Sequence, residues 1–153
     1  MATTRRTRTV GAAPARLWDL IGDPHHFPRW WPGVTRMEGV DEDRWTQVFV
    51  TQKGRSVRVD FRLLESEPPG ATGTRLVGRR RWEQELIGSP FERVLHEAVT
   101  EIRLEPAEEG TQVTIEQRQK LRGYSRGIGG VMLRRATRKR LEEALDGLER
   151  ACG

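Results

Sequence analysis

The 153-residue chain has one cysteine, Cys152, its penultimate residue. That excludes an intrachain disulfide framework and a cysteine-based zinc site. Histidine is nearly as scarce, with His25, His26 and His96 only. The adjacent pair would point in opposite directions on a short helix, so no metal site is expected. No apolar run approaches the roughly 18 residues of a membrane span. The basic start Met1-Ala-Thr-Thr-Arg-Arg6 has no apolar stretch behind it, so no secretory signal is expected and a cytoplasmic location is. Ser56, Ser66, Ser89 and Ser125 lie in no nucleophile motif. Gly127-Ile-Gly-Gly130 lacks the following Lys-Ser/Thr and the parallel strand context of a phosphate loop. No cofactor is expected. Charge of a single sign is missing too, since 27 basic and 22 acidic residues are interspersed for a net +5. A nucleic-acid binder concentrates its basic surface, and only Arg79-Arg80-Arg81 and the run Arg134, Arg135, Arg138, Lys139, Arg140 are dense. Nucleic acid is therefore not the expected partner. The second run reads as a solvated helix face, with weak contact to an anionic membrane or an acidic partner as the functional alternative.

What is present is an ordinary globular composition, 35% hydrophobic and 32% charged, at a length that predicts one domain over 1–153. Residues 3–10 make a weak strand, with only Val10 apolar. Pro14 opens a helix through Ile21, and Asp23 caps a second short helix, His25 to Trp31. From Val34 the period changes to two. Val34–Val40 and Arg44–Gln52 read as strands, followed by Val57–Leu63, Leu76–Leu86, Val94–Glu105 and Val113–Leu121, consecutive hairpins in an antiparallel sheet. The glycine-rich stretch Gly123 to Gly130 reads as a hinge before a helix of about Val131 to Arg150. Its apolar stripe is Met132, Ala136, Leu141, Ala144, Leu145 and Leu148, with the arginines and Glu142-Glu143 toward water.

That order, together with Ala13-Pro-Ala-Arg-Leu-Trp-Asp-Leu-Ile-Gly-Asp-Pro24, Phe27-Pro-Arg-Trp-Trp-Pro-Gly-Val34, Gly88-Ser-Pro-Phe91 and Gly110-Thr-Gln-Val-Thr114, resembles the SRPBCC or START-like superfamily, especially its polyketide cyclase/dehydrase-type bacterial members. The resemblance spans nearly the whole chain. It implies an α+β helix-grip fold: a seven-stranded antiparallel sheet wrapped around a long C-terminal helix, two short helices after strand 1, and an elongated cavity between sheet and helix. Members include lipid carriers, hormone receptors, aromatase/cyclases and chaperone cofactors, so the fold alone does not select an activity.

The inward rows point to a ligand site. With residue 86 facing 94, Arg80 lies opposite Thr100 and Gln84 opposite His96. With Leu104 facing Val113, Thr100 lies opposite Gln117, and Trp82, Ala98 and Gln119 fall between. Inward polar side chains in such number suit a cavity holding water or a polar-tipped ligand. The expected apolar wall is Val59, Phe61, Trp82, Ile102, Ile115, Met132 and Ala136, with Trp30 at the mouth and Ala98 leaving room. Arg80, Gln84, His96, Thr100 and Gln117 would orient polar groups. The expected function is binding of a small hydrophobic, lipid- or polyketide-like molecule, with an acidic or carbonyl group that Arg80 would meet. Two alternatives stand beside it. One is an aromatase/cyclase or dehydratase in which Arg80 stabilises an enolate and His96 moves protons. The other is a protein-binding module of the chaperone-cofactor type. The oligomeric expectation is monomer or homodimer.

Overall fold

A computed structural model describes residues 2–51, 53–70, 77–122 and 128–153, with the Ile128 side chain outside that description. The elements run β1 (Ala2–Val10), α1 (Pro14–Ile21), a 3₁₀ turn (Pro24–His26), α2 (Phe27–Trp30), β2 (Val34–Glu38), β3 (Arg44–Val50), β4 (Ser56–Glu67), β5 (Gly78–Gln84), a 3₁₀ turn (Pro90–Arg93), β6 (Leu95–Ala107), β7 (Gly110–Leu121) and α3 (Ile128–Cys152). The strands form one antiparallel sheet in the order β1-β7-β6-β5-β4-β3-β2. With α3 packed on its inner face and two short helices after β1, this is the helix-grip α+β fold. No helix among the described residues is long and apolar enough to cross a membrane. Residues 123–127 of the glycine-rich stretch, and Leu76, lie outside the described residues.

Helix α3 divides the interior in two. Its C-terminal half buries Leu141, Ala144, Leu145 and Leu148 against Val10, Leu17, Leu20, Ile21, Ile102, Leu104, Val113 and Ile115. This is the apolar core, and its residues come from the stripe and strand rows that the two periods mark. Toward its N-terminus, Thr137 is fully buried and donates through Oγ1 to Gln119 Oε1 at 3.1 Å; beyond it Ala136 is exposed and Met132 is 67% exposed. Met132 and Ala136 therefore do not form the expected apolar wall, because their side chains face solvent rather than the strands.

Strand β1 is more regular than its composition predicts, pairing residue by residue with β7 from Ala2↔Gln119 to Val10↔Thr111. Between buried Thr4 and Val10, its side toward α3 carries Arg6 and Arg8. Arg8 reaches Glu142 at 2.6 Å and Asp146 and Glu149 beside it, and Arg6 reaches Glu142 at 3.4 Å. Glu142, expected to face water, is therefore tied to the sheet edge. Hydrogen bonding to Asp146 holds the Arg8 pKa above its ordinary value, against the opposing effect of burial.

Two irregularities reset the inner face. Between Leu95 and Glu97 the β6–β7 ladder contains a bulge, with Leu95 opposite Leu121 and Glu97 opposite Lys120. One extra residue reverses the faces before it, so Leu95 is buried and His96 and Val94 are exposed. The β5–β6 hairpin is offset by two residues from the expected pairing, with Arg80 opposite Ile102 and Trp82 opposite Thr100. The turn at Pro90–Arg93, capped by Ser89 Oγ, lengthens the connection and moves the first paired residues along the strands. Thr100 does lie opposite Gln117.

Candidate functional site

Between α3 and the inner face of the sheet lies a cavity of about 240 Å³. Its aromatic wall is built from sequence-distant rings that meet around Phe27. The Phe27 centroid lies 5.9 Å from Trp45 in a stacked arrangement, and 5.6 Å from Trp82 and 6.4 Å from Trp31 edge-on. Trp31 and Trp82, 6.3 Å apart, turn a surface to the cavity together with Phe61 and Phe49. Such edge-to-face clusters fix ring orientation as well as burying area.

Polar groups interrupt the apolar surface. Gln47, Gln84, Thr100, Gln117, Gln119 and Arg140 all contribute to the lining. Gln117 Nε2 donates to Thr100 Oγ1 at 2.9 Å, while Gln117 Oε1 is buried with no partner among the described residues. Gln47 is 1% exposed, and its Oε1 likewise has no partner among the described residues. A buried amide oxygen without a hydrogen bond costs about 1–3 kcal/mol. Both residues line the cavity, where these oxygens can accept from a polar group that enters.

Of the expected ligand residues, Val59, Phe61, Trp82, Gln84, Ala98, Thr100 and Gln117 lie on this lining. The others do not. Ile102 and Ile115 are fully buried in the core below. Trp30 is buried against α3, and its neighbour Trp31 takes the cavity position. His96 faces an outer groove with Arg62, Glu83, Glu97 and Lys120. Met132 and Ala136 are exposed, as described.

Arg80 is inward but sits away from the cavity. It is 4% exposed, donates from Nη1 to Ser66 Oγ at 2.9 Å, and places its guanidinium 5.7 Å from the Trp45 ring centre. Burial pushes its pKa down, with Asp23 opposing. Asp23 is a carboxylate that strand rows alone could not reveal, since it comes from the turn after α1. Burial would raise the Asp23 carboxyl, but hydrogen bonds from the His25 backbone and ring, with the charges of His25 and His26, hold it below the usual range. The same bond, His25 N to Asp23 Oδ1 at 3.0 Å, is the expected helix cap.

Sequence reasoning missed Trp31, Gln47, Phe49, Gln119 and Arg140 as lining residues. Gln47 and Phe49 follow Trp45 at period two, so their face was marked once Trp45 was known to be inward. Arg140 lies four residues from both Ala136 and Ala144 in the helix stripe. It had been grouped with its charged neighbours instead.

A family model described as polyketide cyclase / dehydrase and lipid transport matches residues 1–153. No protein of curated function matches the sequence. Among solved structures, TTHA0849 from Thermus thermophilus is 20% identical, with a TM-score of 0.74 over 99% of this chain and 97% of its own. A START superfamily protein from Mycobacterium smegmatis is 11% identical, with a TM-score of 0.74 over 98% of this chain and 96% of its own. The di-domain ARO/CYC BexL from the BE-7585A biosynthetic pathway is 18% identical, with a TM-score of 0.74 over 98% of this chain and 46% of its own. At these identities the likeness is one of fold.

Proposed function

The chain belongs to the polyketide cyclase / dehydrase and lipid transport family, and from that premise we propose that it binds a small, largely hydrophobic molecule in the cavity between sheet and α3. The observation that carries this reading is the lining itself: an aromatic wall of Trp31, Phe49, Phe61 and Trp82 beside the buried amide oxygen of Gln47, which has no partner among the described residues. A mostly apolar pocket with a few convergent polar groups is the usual form of a small-molecule site. Size narrows the occupant. A cavity of about 150 Å³ accommodates benzene, so 240 Å³ has room for a body of one or two rings.

The aromatase/cyclase alternative depended on Arg80 and His96, and neither reaches the cavity. Among the described lining residues there is no Asp, Glu, His, Lys, Tyr or Cys. A lining without a group that exchanges protons near neutrality favours binding over acid–base chemistry.

Two substitutions test the reading. Ala98→Phe adds a ring to the lining and should abolish uptake of methyl 2-naphthoate, followed by quenching of tryptophan fluorescence, while leaving circular dichroism unchanged. Parent-like affinity in the folded variant would remove this cavity from consideration. Gln47→Leu removes the buried unpartnered amide and should raise unfolding stability by about 1 kcal/mol, the signature of a polar group retained for ligand contact. A loss of stability in that variant would mean the amide serves the fold.

A further inference from the structure

We propose that the ligand is a small organic acid, a carboxylate on a one- or two-ring apolar body, and that Arg140 on α3 receives its acid group; this rests on the cavity-binding reading above. Arg140 is three residues from buried Thr137 and four from buried Ala144, which places it on the inner edge of the helix. It is the one charged residue among the described lining residues of the cavity, whereas Arg134, Arg135, Arg138 and Lys139 are exposed on the helix surface without reaching it.

The surroundings of Arg140 are unusual for a surface arginine. Its side chain is accessible to water, yet burial among protein atoms pushes its pKa below the ordinary value, with Glu143 opposing. Its place on the cavity lining accounts for protein atoms on one side and water on the other. Glu143 meets Lys139 at 4.0 Å, and among the described residues no carboxylate lies within 4 Å of the Arg140 guanidinium. Arginine keeps its proton under these conditions. A guanidinium on the cavity lining with no counter-charge among the described residues is free to receive an incoming carboxylate, and its planar fork fits both carboxylate oxygens. A neutral ligand would take away the remaining water and return nothing. The lining offers no acidic side chain to repel an anion, so the cavity distinguishes acids from their neutral counterparts. Arg80, the arginine that strand rows bring forward, has no such freedom because Trp45 and Ser66 enclose it.

The test is calorimetric titration of 2-naphthoate and methyl 2-naphthoate into the parent, Arg140→Met, Arg140→Lys and, as a surface control, Arg138→Met. The parent should bind the acid more tightly than the ester. Arg140→Met should weaken the acid by about ten- to a hundredfold, a charged hydrogen bond's worth, and leave the ester within twofold. Arg140→Lys should restore part of the acid's affinity through charge alone, and Arg138→Met should match the parent. Binding of both probes that Arg140→Met does not change would leave the cavity reading standing and overturn the assignment of Arg140. Failure of both probes to bind the parent would overturn the cavity reading and this inference with it.

Discussion

Gly147→Ala should lower unfolding stability by about 3 kcal/mol or more, at the upper end for an overpacked site. A Cβ at this position would lie 2.1 Å from the Trp30 carbonyl oxygen and 2.8 Å from its carbonyl carbon and Cα. All three are backbone atoms, so no side chain can swing aside; α2 and α3 must part. Intrinsic helix propensity runs the other way, favouring alanine over glycine by about 1 kcal/mol. The sign of the measured change therefore separates close approach from propensity. A loss of this size shifts the melting midpoint of a 153-residue domain down by about 6–12 °C. The damage should also reach the cavity, because Trp31 follows Trp30 and forms part of its wall. Thermal unfolding followed by circular dichroism reads the effect. A midpoint equal to or above the parent's would show that the two helices do not meet as described.

Trp45→Leu should cost about 3 kcal/mol, near the lower end for removing a large buried aromatic ring. Trp45 is 1% exposed and its ring stacks between Phe27 at 5.9 Å and Phe61 at 6.2 Å, with Trp82 edge-on at 6.3 Å. Part of the cost is electrostatic, because the ring face lies beneath the Arg80 guanidinium. A desolvated cation over an indole is worth up to about 2 kcal/mol. Arg80→Met by itself should change stability by less than about 1 kcal/mol, since an apolar side chain of similar length removes the desolvation penalty along with the contact. In the Arg80→Met background, Trp45→Leu should then cost about 1–2 kcal/mol less than it does in the parent. Urea unfolding of the two single variants and the double variant closes the cycle. Strict additivity would mean that the ring and the guanidinium do not interact.

The legible parts of this molecule are those where one periodicity ran uninterrupted. Ala98, Thr100, Ile102 and Leu104 alternate without a break, and their inward face follows directly from the sequence. The same strand was misread at Val94 and His96 because a single bulge residue reverses parity, and neither composition nor spacing marks where a ladder takes an extra residue. β1 looked weak because two of its core-side positions are Arg6 and Arg8, whose counter-charges on α3 come more than 130 residues later. Arg80 was inward as expected, but its depth was set by Trp45 and Ser66, two neighbours from β3 and β4 that no local pattern names. The cavity itself was the hardest to place. From α3 only Arg140 is among its described lining residues, and the helix stripe continues through Ala136 and Met132 as though they were the wall.

The position of β1 has a consequence for how the chain reaches its fold. Every other neighbouring pair in the sheet is consecutive in sequence, whereas β1 pairs with β7 across more than 90 intervening residues. During vectorial synthesis, β2 to β6 can zip in the order in which they emerge. The first strand has no partner until the seventh leaves the ribosome, and such delayed long-range pairing exposes a chain to association with others. Thr-Thr-Arg-Arg-Thr-Arg-Thr tolerates that wait. Its arginines repel a second copy and keep an unpaired edge in water, and they exchange solvent for Glu142, Asp146 and Glu149 only when the last helix arrives. The polarity that hides this strand from a hydrophobic pattern is what keeps it available until the sheet can close.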